Sequence, residues 1–343
     1  MMNALLLKEY NNLVYTQVPK PTIKADEVLI NIKAVAVCGS DVHGYDGGSG
    51  RRRPPLVMGH EASGIIVELG SQVKGWNVGD RVTFDSTLYC GECDYCREGY
   101  INLCNDRRIL GVSCADYHCE GCMAEYCAVP ARVLYALPDE VSFEKASLIE
   151  PLSIGYHAVN ITPIKLGDTA LVVGAGTIGQ MVIKTLKMSN VSRIIVSELD
   201  EKKLEIARES GATHCLGPDA DVVAEVMKLT GGRGVDVAFE AVGKPETVQT
   251  CIHATRKAGN VTLIGNVTPE VGIPLQVVIS KQLTIRGSAA SCGEYPRCLD
   301  AIAIDAINID NVISKVIPLQ DGAEWIDRLH AMEPGLLKVV LVP

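Results

Sequence analysis

Apolar and polar positions alternate through much of the first 80 residues, in NALLLKEY, LVYTQVPKP, EVLINIKAVAV, ASGIIVELG and VGDRVTF, punctuated by Pro19, Pro21, Gly64, Gly70 and Gly79. A period of two with many β-branched residues predicts half-buried strands, so this stretch reads as β-rich. After EYCAVPARVLYALPDEV the character changes. From about Leu148, helical patterns alternate with short apolar runs, TALVVGAG, RIIVSEL, THCLG, VDVAFEAVG and NVTLIGN. Strands separated by helical segments predict βαβ units and a parallel sheet, the α/β class. Past about Ser288 the chain turns helical in PRCLDAIAIDAINI and ends in a strand, LKVVLVP. No Pro/Ser linker marks the boundary near 150–157, which predicts a continuous helix there.

At 343 residues the chain exceeds what one core usually fills, so two domains are expected. A net charge of −9 argues against nucleic acid or an anionic membrane as partner. No apolar run approaches the roughly 18 to 20 residues that span a bilayer. The start, MMNALLLKEYNN, has no basic segment and too short an apolar stretch for a signal peptide. With no export signal expected, an odd number of cysteines, 13, predicts reduced thiols and a cytoplasmic location.

Four of these cysteines, Cys90, Cys93, Cys96 and Cys104, have the spacing C-x2-C-x2-C-x7-C. Four thiolates can close a tetrahedral shell around one Zn²⁺, and a full shell leaves no open position for chemistry. The site is expected to be structural, with metal supplying the folding energy of a lobe poor in apolar residues. Two disulfides and an iron–sulfur cluster are the rival uses of the same ligands.

Strand TALVV runs into Gly174-Ala175-Gly176-Thr177-Ile178-Gly179, followed by the helical QMVIKTLKMS. GxGxxG between strand and helix is a dinucleotide signature when an acid closes the next strand, and Glu198 does so. Gly174 permits the turn, Gly176 lets backbone approach a pyrophosphate, and Gly179 allows close helix–strand packing. The N–H groups of the helix start, at Thr177 and Ile178, then face the phosphates. A carboxylate at 198 accepts hydrogen bonds from ribose hydroxyls and repels a 2′-phosphate, favouring NAD over NADP. Lys202 and Lys203 are the only contrary charges nearby.

Upstream, Cys38-Gly39-Ser40-Asp41-Val42-His43, Gly59-His60-Glu61 and Glu150-Pro151-Leu152 bring thiolate, imidazole and carboxylate, the ligand types of zinc. With the zinc lobe and the glycine loop in this order, the chain resembles the zinc-dependent medium-chain dehydrogenases over its whole length. The sorbitol/polyol branch is the most similar, through CGSDVH, GHEASG, GDRV, EPLSIGYHA and GAGTIG. The resemblance implies a GroES-like catalytic domain over 1–154 and 289–343 and a Rossmann domain over 155–288. It implies two zinc ions per subunit, the catalytic one on Cys38, His60 and Glu61. Glu150 would be a further ligand or hold a zinc-bound water; alcohol dehydrogenases proper have a cysteine there. Ser40 and His43 would relay the alcohol proton while hydride passes to NAD. A homodimer or homotetramer is implied, its subunits joined through the last Rossmann strand near 283–287.

Departures from the polyol pattern bear on the substrate. A tyrosine of sorbitol dehydrogenases is Gly44 here, and an Arg-Tyr pair is Ala290 and Ser291. A roomier pocket for a bulkier secondary alcohol, a polyol or cyclic sugar, is the expectation. Arg51, Arg52 and Arg53 are expected in a solvated loop, with phosphate binding as the alternative. Sugar-phosphate and threonine-type dehydrogenases of the same family are the rival activities, and an NAD-binding protein without catalysis is the rival of another kind. Cys114, His118, Cys119, Cys122 and Cys127 have partial metal spacing; the cysteines are expected to be ordinary buried or cleft-lining thiols, with a third metal as the alternative.

Overall fold

A computed structural model describes residues 1–343. The chain divides into two compact units, one of Met1–Glu150, Tyr295–Ile304 and Ile313–Pro343, the other of Pro151–Glu294 and Asp305–Val312. The division falls after Glu150 and Glu294 rather than at 154 and 288, and 305–312 returns to the second unit. The helix Ile149–Asn160 begins two residues before the division and carries Pro151 in its first turn, where a missing N–H costs nothing.

The first unit is built on a seven-stranded sheet. Along its main path the order is Leu134–Ala136, Arg81–Phe84, Glu61–Leu69, Glu27–Ala36, Lys338–Val342 and Ile313–Pro318, with Tyr126–Pro130 also paired to Glu27–Ala36. The long central strand EVLINIKAVA is buried along most of its length, which is why its alternation is imperfect. A smaller sheet of Asn12–Val18, Met2–Glu9 and Leu56–Val57 packs its apolar positions into the same core, with Leu5, Leu7, Ile30, Ile66 and Leu341 among the buried residues.

In the second unit six parallel strands run in the spatial order His214–Leu216, Arg193–Ser197, Thr169–Val173, Val235–Glu240, Thr255–Leu263, Thr284–Gly287. Numbered along the chain this is 3-2-1-4-5-6, the doubly wound order. Alternate residues of each strand feed two separate cores. Ala170, Val172, Ile194 and Val196 pack on one face of the sheet, Leu171, Val173 and Ile195 on the other. Burial on both faces explains the continuous apolar runs of the sequence. No helix of the chain is long and apolar enough to cross a membrane.

Candidate active site

Strand register in the first unit assembles the site. Ala36 is paired with Glu61 on one side and with Val340 on the other. Residues leaving these strands at one end therefore converge, although Val37 and Lys338 are 301 positions apart. Ligand atoms of Cys38, His60 and Glu61 lie within 4.8 Å of one another, with His60 and Glu61 buried. Soft thiolate, imidazole and carboxylate at this spacing fit a zinc ion with a position left open.

The surrounding charges are paired. Lys338, only 1% exposed, places Nζ 2.8 Å from Glu61 Oε1 and 2.6 Å from Oε2, and donates to the Val37 carbonyl at 2.9 Å. Burial opposes the Lys338 charge, but Glu61 outweighs it and holds the ammonium above its ordinary value. Asp41, fully buried, lies 3.6 Å from His60 Nδ1 and accepts from Arg52 Nε at 2.9 Å. Desolvation raises the Asp41 carboxyl, yet His60 and Arg52 together hold it well below the usual range. Desolvation likewise opposes the His60 charge, and Asp41 and Cys38 overcome it, so the imidazole titrates above its normal value. Metal binding on His60 would release that proton.

Cys38 caps the short helix Gly39–Tyr45, accepting from Ser40 N–H at 3.4 Å and from Ser40 Oγ at 3.3 Å. Ser40 and His43 are exposed, three residues apart and so on one helical face. Glu150 stands outside the three-ligand set; it accepts from Ser86 Oγ at 3.3 Å and interacts electrostatically with His60 and Glu61. Burial is the main cause that pushes its carboxyl up to about 7.

Two expectations require correction. Of the three loop arginines only Arg51 and Arg53 are solvated; Arg52 is 3% exposed and bound to Asp41 and Ser40. Its backbone is fixed because Arg51 and Arg53 both bond to the main chain of Ser113. Gly44 does not open a pocket either. A Cβ there would meet Arg52 Cγ at 2.2 Å, so the stem of Arg52 fills the space that a side chain at 44 would take. In the second unit, Ala290 has φ of +51° and Ser291 is buried.

Ligand atoms of Cys90, Cys93, Cys96 and Cys104 also lie within 4.8 Å of one another. Backbone N–H groups of Glu92 and Cys93 point at Cys90 Sγ at 3.4 and 3.3 Å, and that of Cys90 at Cys104 Sγ at 3.2 Å. Backbone donors from Asn105 and Cys96 lower the Cys93 thiol to about 6, whereas desolvation pushes Cys96 up to about 12. Four crowded thiols cannot all ionise without a cation among them, and the donor set fits zinc. All 13 cysteines are free of disulfides. In the downstream run Cys122 Sγ is 3.3 Å from Cys127 Sγ inside the core, and His118 bonds to Ser113 and Glu120.

The glycine loop follows the strand Thr169–Val173, beside the point where strand order reverses in the second unit. Gly174 has φ of +93°, and a Cβ on Gly179 would meet Gly174 O at 1.9 Å. A Cβ on Gly176 would meet nothing within 4 Å, so the backbone there faces open space at the start of the helix Thr177–Met188. Glu198 turns back on this loop, accepting from Ala175 N–H at 2.7 Å and from Leu199 N–H at 2.7 Å.

Lys338 and the buried role of Arg52 are not visible in the sequence. No local signal marks the lysine in LKVVLVP, whereas Asp41, three residues after Cys38, was the available clue that a buried cation was needed.

Residues 24–139 match the alcohol dehydrogenase GroES-like domain family, and residues 177–303 the zinc-binding dehydrogenase family. A sorbitol dehydrogenase of Bacillus subtilis is 32% identical over 348 residues, covering 100% of this chain and 97% of the relative. L-threonine 3-dehydrogenase of Pyrococcus horikoshii is 38% identical over 280 residues, 80% of this chain and 78% of the relative. Among solved structures, an Escherichia coli alcohol dehydrogenase (rspB) complexed with NADH superposes with a TM-score of 0.92 at 29% identity, covering 100% of this chain and 99% of the other. Matched end to end at this identity, and carrying both families' domains in order, the chain belongs to the zinc-dependent medium-chain dehydrogenases, in their polyol branch.

Proposed function

We propose that this chain oxidises a secondary alcohol of a polyol or sugar-like substrate, passing hydride to NAD. The observation that carries the reading is the convergence of Cys38, His60 and Glu61, with the Ser40 hydroxyl 3.3 Å from the Cys38 sulfur. Bound there, zinc supplies Lewis-acid polarisation of the alcohol oxygen, and NAD supplies the hydride acceptor. The remaining steps fall to the chain. Ser40 takes the hydroxyl proton as it releases its own toward His43, which is open to solvent. Glu150, part-buried and held by Ser86, offers a second carboxylate beside the ligands. In the first unit, Cys90, Cys93, Cys96 and Cys104 hold the structural zinc. In the second, Gly174, Gly176, Thr177, Ile178 and Gly179 receive the pyrophosphate, and Glu198 the adenosine ribose. The β-rich unit is then the catalytic domain and the parallel-sheet unit the nucleotide domain.

A threonine-type activity is the second reading, favoured by the 38% identity to the Pyrococcus enzyme. For a phosphorylated substrate only Arg51 and Arg53 remain, since Arg52 is committed to Asp41 and Ser40. A cytoplasmic setting accords with 13 free thiols.

A panel of polyols, inositols, sugars, sugar phosphates and L-threonine, assayed with NAD and with NADP, tests the reading. The expected result is NADH formation with a neutral polyol or sugar. NADP should serve at least tenfold worse, and Glu198→Ala should narrow that gap. Equal use of NADP by the native protein refutes the ribose assignment, and L-threonine as best substrate selects the second reading.

A homo-oligomer is part of this proposal. Thr284–Gly287 is an edge strand paired on one side only, and Leu275 and Ile279 on the adjacent helix are 60% and 69% exposed. An edge rich in β-formers beside apolar surface calls for a cover, and a second copy supplies it symmetrically. Sedimentation at micromolar concentration should give a dimer or tetramer; a monomer overturns this.

A further inference from the structure

We propose that Arg52 is a positioning residue of the proton relay, acting through Ser40 and made possible by Gly44; this rests on the dehydrogenase reading above. Arg52 Nη2 donates to Ser40 Oγ at 3.0 Å while Nε donates to Asp41 Oδ1 at 2.9 Å. A guanidinium keeps its protons at any working pH and can only donate. A serine hydroxyl has one proton and two acceptor lone pairs. Arg52 occupies one lone pair, and the proton goes to Cys38 Sγ at 3.3 Å. Ser40 is left with a single acceptor direction, which fixes the rotor otherwise free at an exposed serine.

That orientation is what a relay requires. As the substrate O–H bond breaks, its proton bonds to the free lone pair of Ser40 Oγ, and the proton originally on Ser40 swings off Cys38 Sγ and passes to His43 or water. Serine is unchanged overall. With the accepting lone pair already aimed, only the leaving proton has to turn in the transition state, which is the gain that preorganisation brings. The second, independent observation is steric. Gly44 lies in a helix where alanine is conformationally acceptable, yet a Cβ there would meet Arg52 Cγ at 2.2 Å and Arg52 Cβ at 2.9 Å. Neither atom is the free end of the side chain, so Arg52 would have to move. Gly44 and Arg52 thus form a matched pair, the first giving passage to the second.

The test is a double-mutant cycle on the zinc-loaded enzyme with Ser40→Ala, Arg52→Lys and Gly44→Ala, singly and with each of the last two combined with the first. Arg52→Lys keeps a cation for Asp41 but loses the two-pronged grip; Gly44→Ala displaces the arginine without touching a charge. We expect each to lower kcat about five- to twentyfold with KM nearly unchanged, and to raise the solvent deuterium isotope effect on kcat. Combined with Ser40→Ala, neither should lower kcat further than Ser40→Ala alone. Retention of zinc at the Cys38 set against a chelator should stay within about threefold of native. Multiplying effects in the cycle, an unchanged isotope effect, or loss of that zinc in both variants would assign Arg52 to scaffolding and overturn the proposal. Native turnover in Ser40→Ala would instead refute the relay itself, a failure of the underlying reading.

Discussion

Cys38→Ser is expected to leave the chain folded and to cut alcohol oxidation below about 1% of native, because altering even an outer partner of a metal ligand costs about 10- to 100-fold. Cys93→Ser is expected to do the reverse. It removes one of four donors from a closed shell whose metal, in small zinc modules, contributes on the order of 10 kcal/mol of folding energy. Residues around 90–104 have few buried neighbours to replace it; only Asn102 and Cys104 are buried there. Each variant should hold about one zinc per chain where the native protein holds about two. Limited proteolysis should open the lobe in Cys93→Ser alone, and surviving intact molecules should keep turnover. The division into a chemical and a structural metal is wrong if both variants unfold alike, or if Cys93→Ser stays folded and inactive.

The second large effect is expected at Lys338. Its ammonium and the Glu61 carboxylate are 2% and 1% exposed, so neither charge has water to fall back on. Lys338→Met removes the cation bonded to the buried Glu61 and leaves it beside Glu150, and breaking such a pair from one side typically costs about 3–5 kcal/mol. Both tryptophans, Trp76 and Trp325, belong to the first unit, so their fluorescence during urea unfolding reads this unit selectively. The loss should be greater in chelator-treated protein than in zinc-loaded protein, since a metal on Glu61 provides a replacement cation. The pH dependence has a definite sign. The folded Lys338 value lies above the ordinary 10.5, so the lysine's contribution is fully present below 10.5 and is lost as pH rises through the raised value. Stability equal to native in Lys338→Met, with or without chelator, would show that the pair does not stabilise the first unit.

These effects differ in how visible their residues are along the chain. The glycine loop, the four-cysteine run and the Cys38–Ser40–His43 stretch are local patterns. Strand, turn and helix start follow one another within a few residues, and all four thiols lie within 14 positions of each other, so chain geometry alone confines them. The parallel sheet is legible for a similar reason. Burial on both faces imposes continuous apolar runs such as TALVV and VDVAF, whatever the rest of the molecule does.

Other features depend on which strands become neighbours. Arg52 sits in a run of three arginines, and nothing in that run says which one turns inward. Pinning of the run against Ser113 and the gap at Gly44 decide it, and both arise from non-local packing. The two unit types, the glycine loop and the candidate ligands are legible along the chain because each is written in a short period or spacing. The charges around those ligands are set by long-range strand pairing instead. Lys338 reaches Glu61 across 277 positions through the register of the strand Glu27–Ala36 with its two neighbours, and pairing over such distances leaves no trace in local pattern.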